Sequence, residues 1–332
     1  CLHSHRNVTM SAIGAALAAS MTPSERTLMA MPIWHSSPLN NWFAGTLYVG
    51  GTVVLLREYH PQHFLQTVQD ERVTLYFGAP VSYFAPLLAV EDFARYDLSS
   101  VRAWMYGGGP IGADMARKLV EAYKTDRFFQ VFGMTETGPT GTTLLPEEQL
   151  AKAGSIGRMG LPGVELRVVR KDGEDAAAGE VGEIWLRCES LMLGYLDDEP
   201  ATRSAVTPDG WYRSGDLARV DEDGYLFVVD RTKDMIVTGG ENVSSKEVED
   251  ALSSQPSVAD AAVIGRPHPE WGETVVAYVV LRKNAPPTVV EVLRDHLAPR
   301  LAKYKIPREY VFVDALPRTS TGKLQKYMLR AA

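Results

Sequence analysis

The C-terminal stretch of the chain carries a lysine behind a loop of small polar residues. It reads Pro317-Arg-Thr-Ser-Thr-Gly-Lys323 and has neither a helical nor a strand pattern. A glycine hinge followed by one primary ammonium suits a group that swings into an active site. Lysine is a compact charge on a long stem, which matches a phosphate or carboxylate oxygen. Taken alone, the segment is more typical of a disordered polar tail.

A second candidate site follows a predicted strand at Phe128–Phe132. In open parallel sheets, ligands bind outside the carboxyl ends of the strands. At that position Thr135 offers a hydroxyl to an anion, and Glu136 offers a carboxylate that can hold Mg²⁺ against a polyphosphate. The ring of Phe132 offers a face to a base. A strand end with a capped helix start is the plain structural alternative.

A glycine run, Gly107-Gly108-Gly109, follows another predicted strand at Arg102–Tyr106. Glycine backbone permits the close approach of a ligand. The run is a candidate floor for a planar base or an acyl chain, and a plain tight turn is about as plausible. It lacks the GxxxxGK and GxGxxG spacings of phosphate-binding loops, and the absence of a strand–GxGxxG–helix pattern disfavours an NAD-dependent dehydrogenase.

Charged residues mark two further candidates. Asp216 directly follows a glycine, and a carboxylate in such a turn is a good acceptor for both ribose hydroxyls. Arg231 lies in the segment 230–234, where the sequence texture changes, and it could reach ribose or phosphate. Charged residues at an exposed boundary suit a hinge. The Gly239-Gly240 turn behind it would let a second domain present backbone to a narrow ligand.

Composition limits the classes of protein that the chain can belong to. Its 332 residues, 45% hydrophobic and 23% charged, are typical of a soluble globular protein of about two domains. The net charge of −7 gives no general case for nucleic acid or an anionic membrane. Cys1 and Cys188 form no disulfide framework or metal cluster, so we expect a reducing, cytoplasmic setting. The apolar run at 11–19 is far too short for a membrane span, and we expect no signal peptide.

The order of strand and helix patterns predicts an α/β fold. Alternation in the first half favours a largely parallel sheet. Short strands separated by Asp-Gly turns then predict a small antiparallel β unit. A compact α+β piece follows. The predicted domains are an α/β part at 1–153, a β part at 154–229, a hinge at 230–234 and a mobile α+β lid at 235–332.

In this order and spacing, the motifs resemble those of the adenylate-forming superfamily, which includes acyl-CoA synthetases, firefly luciferases and the adenylation domains of peptide synthetases. The segments that carry the resemblance span the chain: 107–111, 132–138, 182–184, 212–217, 231–249 and 317–323. Within the superfamily, 239–243 followed by 246–249 resembles acyl-CoA ligases more than amino-acid adenylation domains.

The resemblance implies a reaction in two steps. A carboxylate attacks the α-phosphate of Mg·ATP to give acyl-AMP and pyrophosphate, and the thiol of CoA then displaces AMP. It also implies that ATP, Mg²⁺ and CoA are the cofactors and co-substrates. An adenylating enzyme that loads a carrier protein instead of CoA is an alternative.

The resemblance assigns a role to each matching residue. Lys323 would stabilise the charge between carboxylate and α-phosphate, as electrostatic catalysis demands. Lys233 would be the hinge about which the small domain rotates. The other residues with implied roles are Thr135 (phosphate), Glu136 (Mg²⁺), Asp216 and Arg231 (ribose), Phe132 with Gly133 (adenine, where the family more often has Tyr), Gly107, Gly108 and Gly109 (cofactor), Gly239, Gly240 and Glu241 (pantetheine channel), and His35, Tyr106 and Gly107 (the acid).

Two departures from the family pattern matter. Ser245 stands where many relatives have Pro, and the Ser/Thr/Gly-rich phosphate loop that should precede Leu2 is not in this sequence. We therefore expect the chain to be N-terminally incomplete, and a non-catalytic nucleotide-binding fragment is an alternative to an active ligase. Aromatic residues indicate either a pocket for a fatty or aryl acid or ordinary core packing. They are Trp34, Trp42, Phe43, Tyr83, Phe84 and Tyr106. A homodimer is possible.

Overall fold

The computed structural model describes residues 1–109, 111–283, 285–286, 289–319 and 324–330. The chain divides into two compact units. The first consists of Cys1–Ser214 with Ala218–Val228, and the second of Gly215–Leu217 with Val229–Ala332.

The described residues form nine α-helices and sixteen β-strands. The helices are α1 (His5–Ala18), α2 (Ala44–Tyr48), α3 (Pro61–Asp70), α4 (Pro80–Ala89), α5 (Ala113–Tyr123), α6 (Glu199–Ala205), α7 (Ser245–Ser253), α8 (Val290–Leu297) and α9 (Lys326–Arg330). The strands are β1 (Arg26–Met29), β2 (Thr52–Leu55), β3 (Leu75–Gly78), β4 (Ala103–Gly107), β5 (Phe128–Gly133), β6 (Gly141–Leu144), β7 (Met159–Gly160), β8 (Val164–Val169), β9 (Val181–Cys188), β10 (Tyr212–Val220), β11 (Leu226–Arg231), β12 (Ile236–Thr238), β13 (Glu241–Val243), β14 (Val258–His268), β15 (Gly272–Leu281) and β16 (Glu309–Phe312). None of the helices in this part of the chain is long and apolar enough to cross a bilayer.

The first sheet has seven strands in the order β2-β1-β3-β4-β5-β6-β7. Neighbours from β2 to β5 pair in parallel, and β6 and β7 pair antiparallel. Every residue of β3 and β4 is buried, as expected for parallel strands covered on both faces. The prediction of a largely parallel α/β sheet is confirmed.

Alternate residues of β4 enter different hydrophobic cores. Trp104 and Tyr106 pack with Tyr83 on one face, while Met105 packs with Trp42 on the other. This is the two-residue period of a strand. Three of the aromatic residues that could have formed an acid pocket, at positions 42, 83 and 106, are therefore core residues.

The second sheet has the order β11-β10-β9-β8, and β8 pairs antiparallel with β9. Strand β10 corrects the sequence interpretation, which treated the residues before Asp216 as a glycine turn. The chain instead runs on as a strand, with Gly215 at φ +71° inside it. Glycine tolerates this positive φ without a Cβ clash, so it kinks the strand and does not end it.

The second unit contains a five-stranded sheet. Its order is β13-β12-β15-β14, and β16 pairs in parallel with β15. Helices α7 and α8 cover one face through Val248, Leu252, Leu293 and Leu297. The sequence pattern at 288–301 predicts one helix over that whole range, and the structure has the shorter helix α8, Val290–Leu297.

Candidate active site

The loop after β5 holds the predicted phosphate and metal ligands. A single 3₁₀ turn, Thr135–Thr137, follows the strand, and Gly138 ends it with φ +74°. A Cβ at Gly138 would lie 2.7 Å from the carbonyl oxygen of Ser190. Only glycine fits there, because both the backbone angle and the space exclude a side chain.

Other elements of the first unit fix this loop at several points. The Ser190 hydroxyl donates to the carbonyl of Thr137 at 2.7 Å, and the Asn41 amide donates to that of Pro139 at 3.0 Å. The backbone N–H of Met192 donates to the carbonyl of Glu136 at 2.7 Å. A loop whose carbonyls are paired in this way presents its side chains in a defined geometry.

Three side chains contact the predicted ligands directly, and the sequence did not indicate any of them. The Tyr195 hydroxyl donates to Oε1 of Glu136 at 3.0 Å. The Ser36 hydroxyl lies 2.9 Å from that of Thr135, and Nε2 of His3 donates to the Thr135 carbonyl at 2.9 Å. Burial lowers the pKa of His3. The sequence offers no signal for these pairs, because the partners are far apart in the chain.

The Glu136 carboxylate suits Mg²⁺ that is bound mainly through a substrate. Glu136 is half-buried and Thr135 is exposed. Over the described part of the chain, no three His, Cys, Asp or Glu side chains group to hold a metal. Magnesium typically takes one or two carboxylates together with phosphate oxygens and water, not an all-protein cage. A single half-buried carboxylate beside an exposed hydroxyl fits this pattern.

The glycine run lies beside the same loop. Gly107 pairs with Val131 of β5, and a Cβ at Gly107 would lie 2.9 Å from the Val131 carbonyl oxygen. A Cβ at Gly108 or Gly109 would meet no atom within 4 Å. The end of β4 is thus tightly packed at Gly107, and the chain is open at Gly108 and Gly109. These residues lie at the sheet edge where the Thr135 turn begins.

Tyr106, predicted to contact the acid, has its side chain in the core. It is 1% exposed, and its hydroxyl donates to Gln149 at 2.7 Å. Burial raises its pKa well above the usual range. Any contact with a ligand therefore falls to its backbone. His35 is half-buried and directly precedes Ser36, which contacts Thr135.

Phe132 is partly buried at the end of β5. It packs against a cluster that includes Ile184 of the second sheet and Ile156, which precedes β7. The neighbouring Gly133 has no room for a side chain, because a Cβ would lie 2.5 Å from the carbonyl oxygen of Pro139. These contacts place the Phe132 ring between the two sheets of the first unit, and its role toward adenine stays a prediction.

In the second unit the predicted ribose ligands lie together. Nε of Arg231 donates to Oδ1 of Asp216 at 2.8 Å, and the two side chains are 52% and 10% exposed. The N–H of Thr232 donates to the carbonyl of Gly215 at 2.7 Å. The negative charge of the Asp216 carboxylate is thus compensated by the Arg231 guanidinium.

The predicted hinge residue Lys233 is exposed. Its carbonyl accepts from Arg330 at 3.2 Å, and the same guanidinium pairs with Asp234 at 2.6 Å. Lys323, the predicted catalytic lysine, lies outside the described residues. Its role and the hinge at 230–234 stay predictions.

The Gly239-Gly240 turn joins β12 to β13, and Glu241 follows it on the exposed side. The N–H of Gly239 donates to the carbonyl of Trp271 at 2.9 Å. The Trp271 ring in turn stacks on His268 with 4.4 Å between centroids. The predicted turn is confirmed, and the aromatic pair beside it was not anticipated.

Comparison with known proteins gives matches along the chain. A family model described as AMP-binding enzyme matches residues 1–196, and one described as AMP-binding enzyme C-terminal domain matches residues 247–323. A feruloyl-CoA synthase of an Amycolatopsis species is 40% identical over 328 residues, covering 98% of this chain and 65% of that protein. An indoleacetate–CoA ligase of Aromatoleum aromaticum is 37% identical over 306 residues, covering 92% of this chain and 59% of that protein.

A solved structure is similar over nearly the whole chain. It is the o-succinylbenzoate CoA synthetase of Bacillus subtilis in complex with its acyl-adenylate intermediate. The TM-score is 0.89 at 34% identity, and the match covers 99% of this chain and 66% of that one. The chain spans less than two thirds of the length of the curated relatives described above.

Proposed function

Because the chain belongs to the AMP-binding enzyme family, we propose that its protein is an AMP-forming ligase that joins an aryl carboxylic acid to CoA. The observation that carries the proposal is the turn at Thr135 and Glu136, which other elements fix beside the open end of β4. This places an anion-binding hydroxyl and a metal-binding carboxylate at the carboxyl edge of a parallel sheet, where ligands bind.

The first step forms the acyl-adenylate. A carboxylate oxygen of the acid attacks the α-phosphorus of ATP, and the bond to the bridging oxygen breaks to release pyrophosphate. Thr135 donates its hydroxyl to a phosphate oxygen, and Lys323 neutralises the charge that develops between the two anions. Mg²⁺ held by Glu136 would supply charge neutralisation on the polyphosphate.

The second step forms the thioester. The CoA sulfur attacks the acyl carbon, and the carbon–oxygen bond to the phosphate breaks, so that AMP leaves with the oxygen that came from the acid. Asp216, held by Arg231, accepts hydrogen bonds from the ribose hydroxyls. The Gly239–Gly240 backbone and Glu241 line the path of the pantetheine thiol, after the second unit has moved about Lys233.

The names of the relatives support an aromatic acid. Two of the proteins similar to this chain are described as acting on feruloyl and indoleacetate groups, and a third on o-succinylbenzoate. All three acids carry a ring. We therefore place aryl acids ahead of fatty acids as substrates.

A hydroxamate-trapping panel tests this proposal. The intact protein is incubated with ATP, Mg²⁺, hydroxylamine and one acid at a time, with aryl and fatty acids of matched carbon number. We expect AMP and hydroxamate from at least one aryl acid, and a CoA thioester when CoA replaces hydroxylamine. Preference for fatty acids would contradict the proposed aryl substrate. Transfer of the acyl group only to a phosphopantetheinylated carrier protein would contradict CoA as the acceptor.

Three further predictions belong to the same proposal. Activity should require Mg²⁺ and be lost with EDTA, since the only protein ligand proposed for the ion is Glu136. Mass photometry should detect a homodimer, and fractionation should place the protein in the cytoplasm. The last two can fail without affecting the adenylation chemistry, whereas full activity in EDTA would contradict the proposed role of Glu136.

A further inference from the structure

A buried ion pair in the second unit has no part in the proposed reaction. Nζ of Lys326 lies 2.7 Å from Oε1 of Glu249, and the two side chains are only 12% and 17% exposed. The same carboxylate oxygen accepts from the N–H of Val263 at 2.7 Å. Burial raises the pKa of Glu249, and the Lys326 charge opposes this shift. Charged groups this deeply buried are costly unless each is paired.

Ser245 connects the Lys326–Glu249 ion pair to the segment 230–234 through hydrogen bonds. Lys326 also donates to the Ser245 hydroxyl at 2.6 Å, and Ser245 donates to the buried carboxylate of Asp230 at 2.9 Å. The other carboxylate oxygen of Asp230 accepts from the N–H of Arg231 at 2.7 Å. A continuous chain of hydrogen bonds thus runs from α9 to the start of that segment. The serine that replaces the family's usual Pro is its central link.

Arg330 makes a second connection from the same helix. It lies four positions after Lys326, which puts the two side chains on one face of α9. Its guanidinium pairs with Asp234 at 2.6 Å, and the Asp234 side chain is 10% exposed. The two basic residues of α9 therefore reach both ends of the five-residue segment, Asp230 and Asp234.

We propose that Lys326 and Arg330 are positioning residues, which fasten the chain that follows Lys323 to the segment 230–234. Lys326 is three positions after Lys323 in the sequence, so it belongs to the first described residues that follow the predicted catalytic lysine. The inference rests on the proposed function, because it takes Lys323 as the catalytic lysine. In this proposal, the carboxylates of Asp230 and Asp234 hold helix α9, which follows the loop that carries Lys323.

A merely structural role gives a different expectation. Buried ion pairs can often be replaced by neutral residues without loss of stability, while removing one partner alone is damaging. The variant Lys326→Met leaves the Glu249 carboxylate unpaired. The double variant Lys326→Met/Glu249→Gln removes both charges and keeps an acceptor for Val263, but it still lacks the link to Ser245. The double variant therefore separates stability from positioning.

The test compares these variants in the intact protein. Melting temperature, acyl-AMP formation and thioester formation from supplied acyl-AMP are measured for the wild type, the two variants and Lys326→Arg. Lys305→Met is the matched control, because Lys305 pairs with Glu247 on the same helix α7 at 2.7 Å without contacting Asp230. Hydrogen exchange at the Met328 amide, which donates to the carbonyl of Gln325 at 3.0 Å, reports the order of α9 without any activity.

We expect the double variant to melt close to the wild type, yet to lose acyl-AMP formation about 100-fold, as for a misplacement of about 1 Å. Thioester formation from acyl-AMP should stay within a few-fold. Lys326→Arg should recover part of the adenylation, and Lys305→Met should change neither step. Arg330→Gln should show the same selective loss to a smaller extent.

Two results would overturn the inference. One is a double variant that regains both stability and adenylation. The other is an equal loss in both steps. If the wild type makes no acyl-AMP, the proposed function fails, and the exchange measurement still tests the connection. Unchanged protection of α9 in Lys326→Met would then reject it.

Discussion

Replacing Gly138 by alanine should damage the Thr135 turn through one methyl group. Gly138 has φ +74° and ends the 3₁₀ turn that carries Glu136. The added Cβ would lie 2.7 Å from the Ser190 carbonyl oxygen and 2.8 Å from the Ser190 Cβ. Backbone cannot yield as a flexible side chain can, so either the Thr135 turn or the turn at Ser190 that follows β9 must shift.

The structure supplies a size for this effect. An L-residue in the left-handed region costs about 1–2 kcal/mol. Forcing extra volume into a packed site adds about 1–3 kcal/mol. The total is roughly 2–5 kcal/mol of stability. Because Thr135 and Glu136 move with the turn, a shift of about 1 Å should lower adenylation about 100-fold.

Gly163→Ala is the matched control. Gly163 also has a positive φ, +82°, but a Cβ there would meet no atom within 4 Å. It should therefore lose only the conformational part, about 1–2 kcal/mol, and keep its activity. Urea unfolding gives the stability of both variants, and ATP–pyrophosphate exchange with a good acid substrate gives adenylation.

The two variants together decide the point. Equal stability loss in both would mean that the contact with Ser190 does not matter. A destabilised Gly138→Ala with full exchange activity would show that the turn does not position the reacting groups. Either result would refute this account of the loop.

Three further substitutions and probes test other parts of the site. Lys323→Ala should abolish most acyl-AMP formation and spare thioester formation from supplied acyl-AMP, and equal loss in both half-reactions would contradict its role. Asp216→Asn should weaken ATP binding roughly 10- to 100-fold, as for a lost hydrogen bond to a charged group. The same change should lower stability by only about 1 kcal/mol, since Arg231 is half exposed; calorimetry and urea unfolding check the two effects. Burial raises the pKa of the Cys188 thiol, so at pH 8 iodoacetamide should alkylate it far more slowly than the exposed Cys1. Similar rates in the folded protein, or no acceleration of Cys188 in urea, would disprove that burial.

The sequence predicted best the elements whose signals are local. A proline at the first position and an amphipathic pattern predict a helix at Pro61–Asp70, and helix α3 covers those residues. Strand β10 was missed because one glycine, Gly215, was interpreted as a turn. Helix α4 was also not predicted, since it contains Pro86, and a proline normally ends a helix.

The site was predictable only where motifs carry it. The turn at Thr135 and Glu136 follows from a strand and a recognisable motif. Its partners His3, Ser36 and Tyr195 lie 132, 99 and 59 positions away. Contacts over such distances depend on the tertiary fold, and no local pattern encodes them. The same applies to Lys326 and Ser245, which are 81 positions apart.

The central claim is that the acid is activated as an acyl-adenylate, and isotope transfer tests it most directly. An aryl acid that supports activity is labelled with ¹⁸O in both carboxylate oxygens and converted to its CoA thioester by the intact protein with ATP. Mass spectrometry of the nucleotide product then locates the label. The account predicts AMP carrying one ¹⁸O and unlabelled pyrophosphate. Unlabelled AMP, or ADP with ¹⁸O in inorganic phosphate, would contradict it.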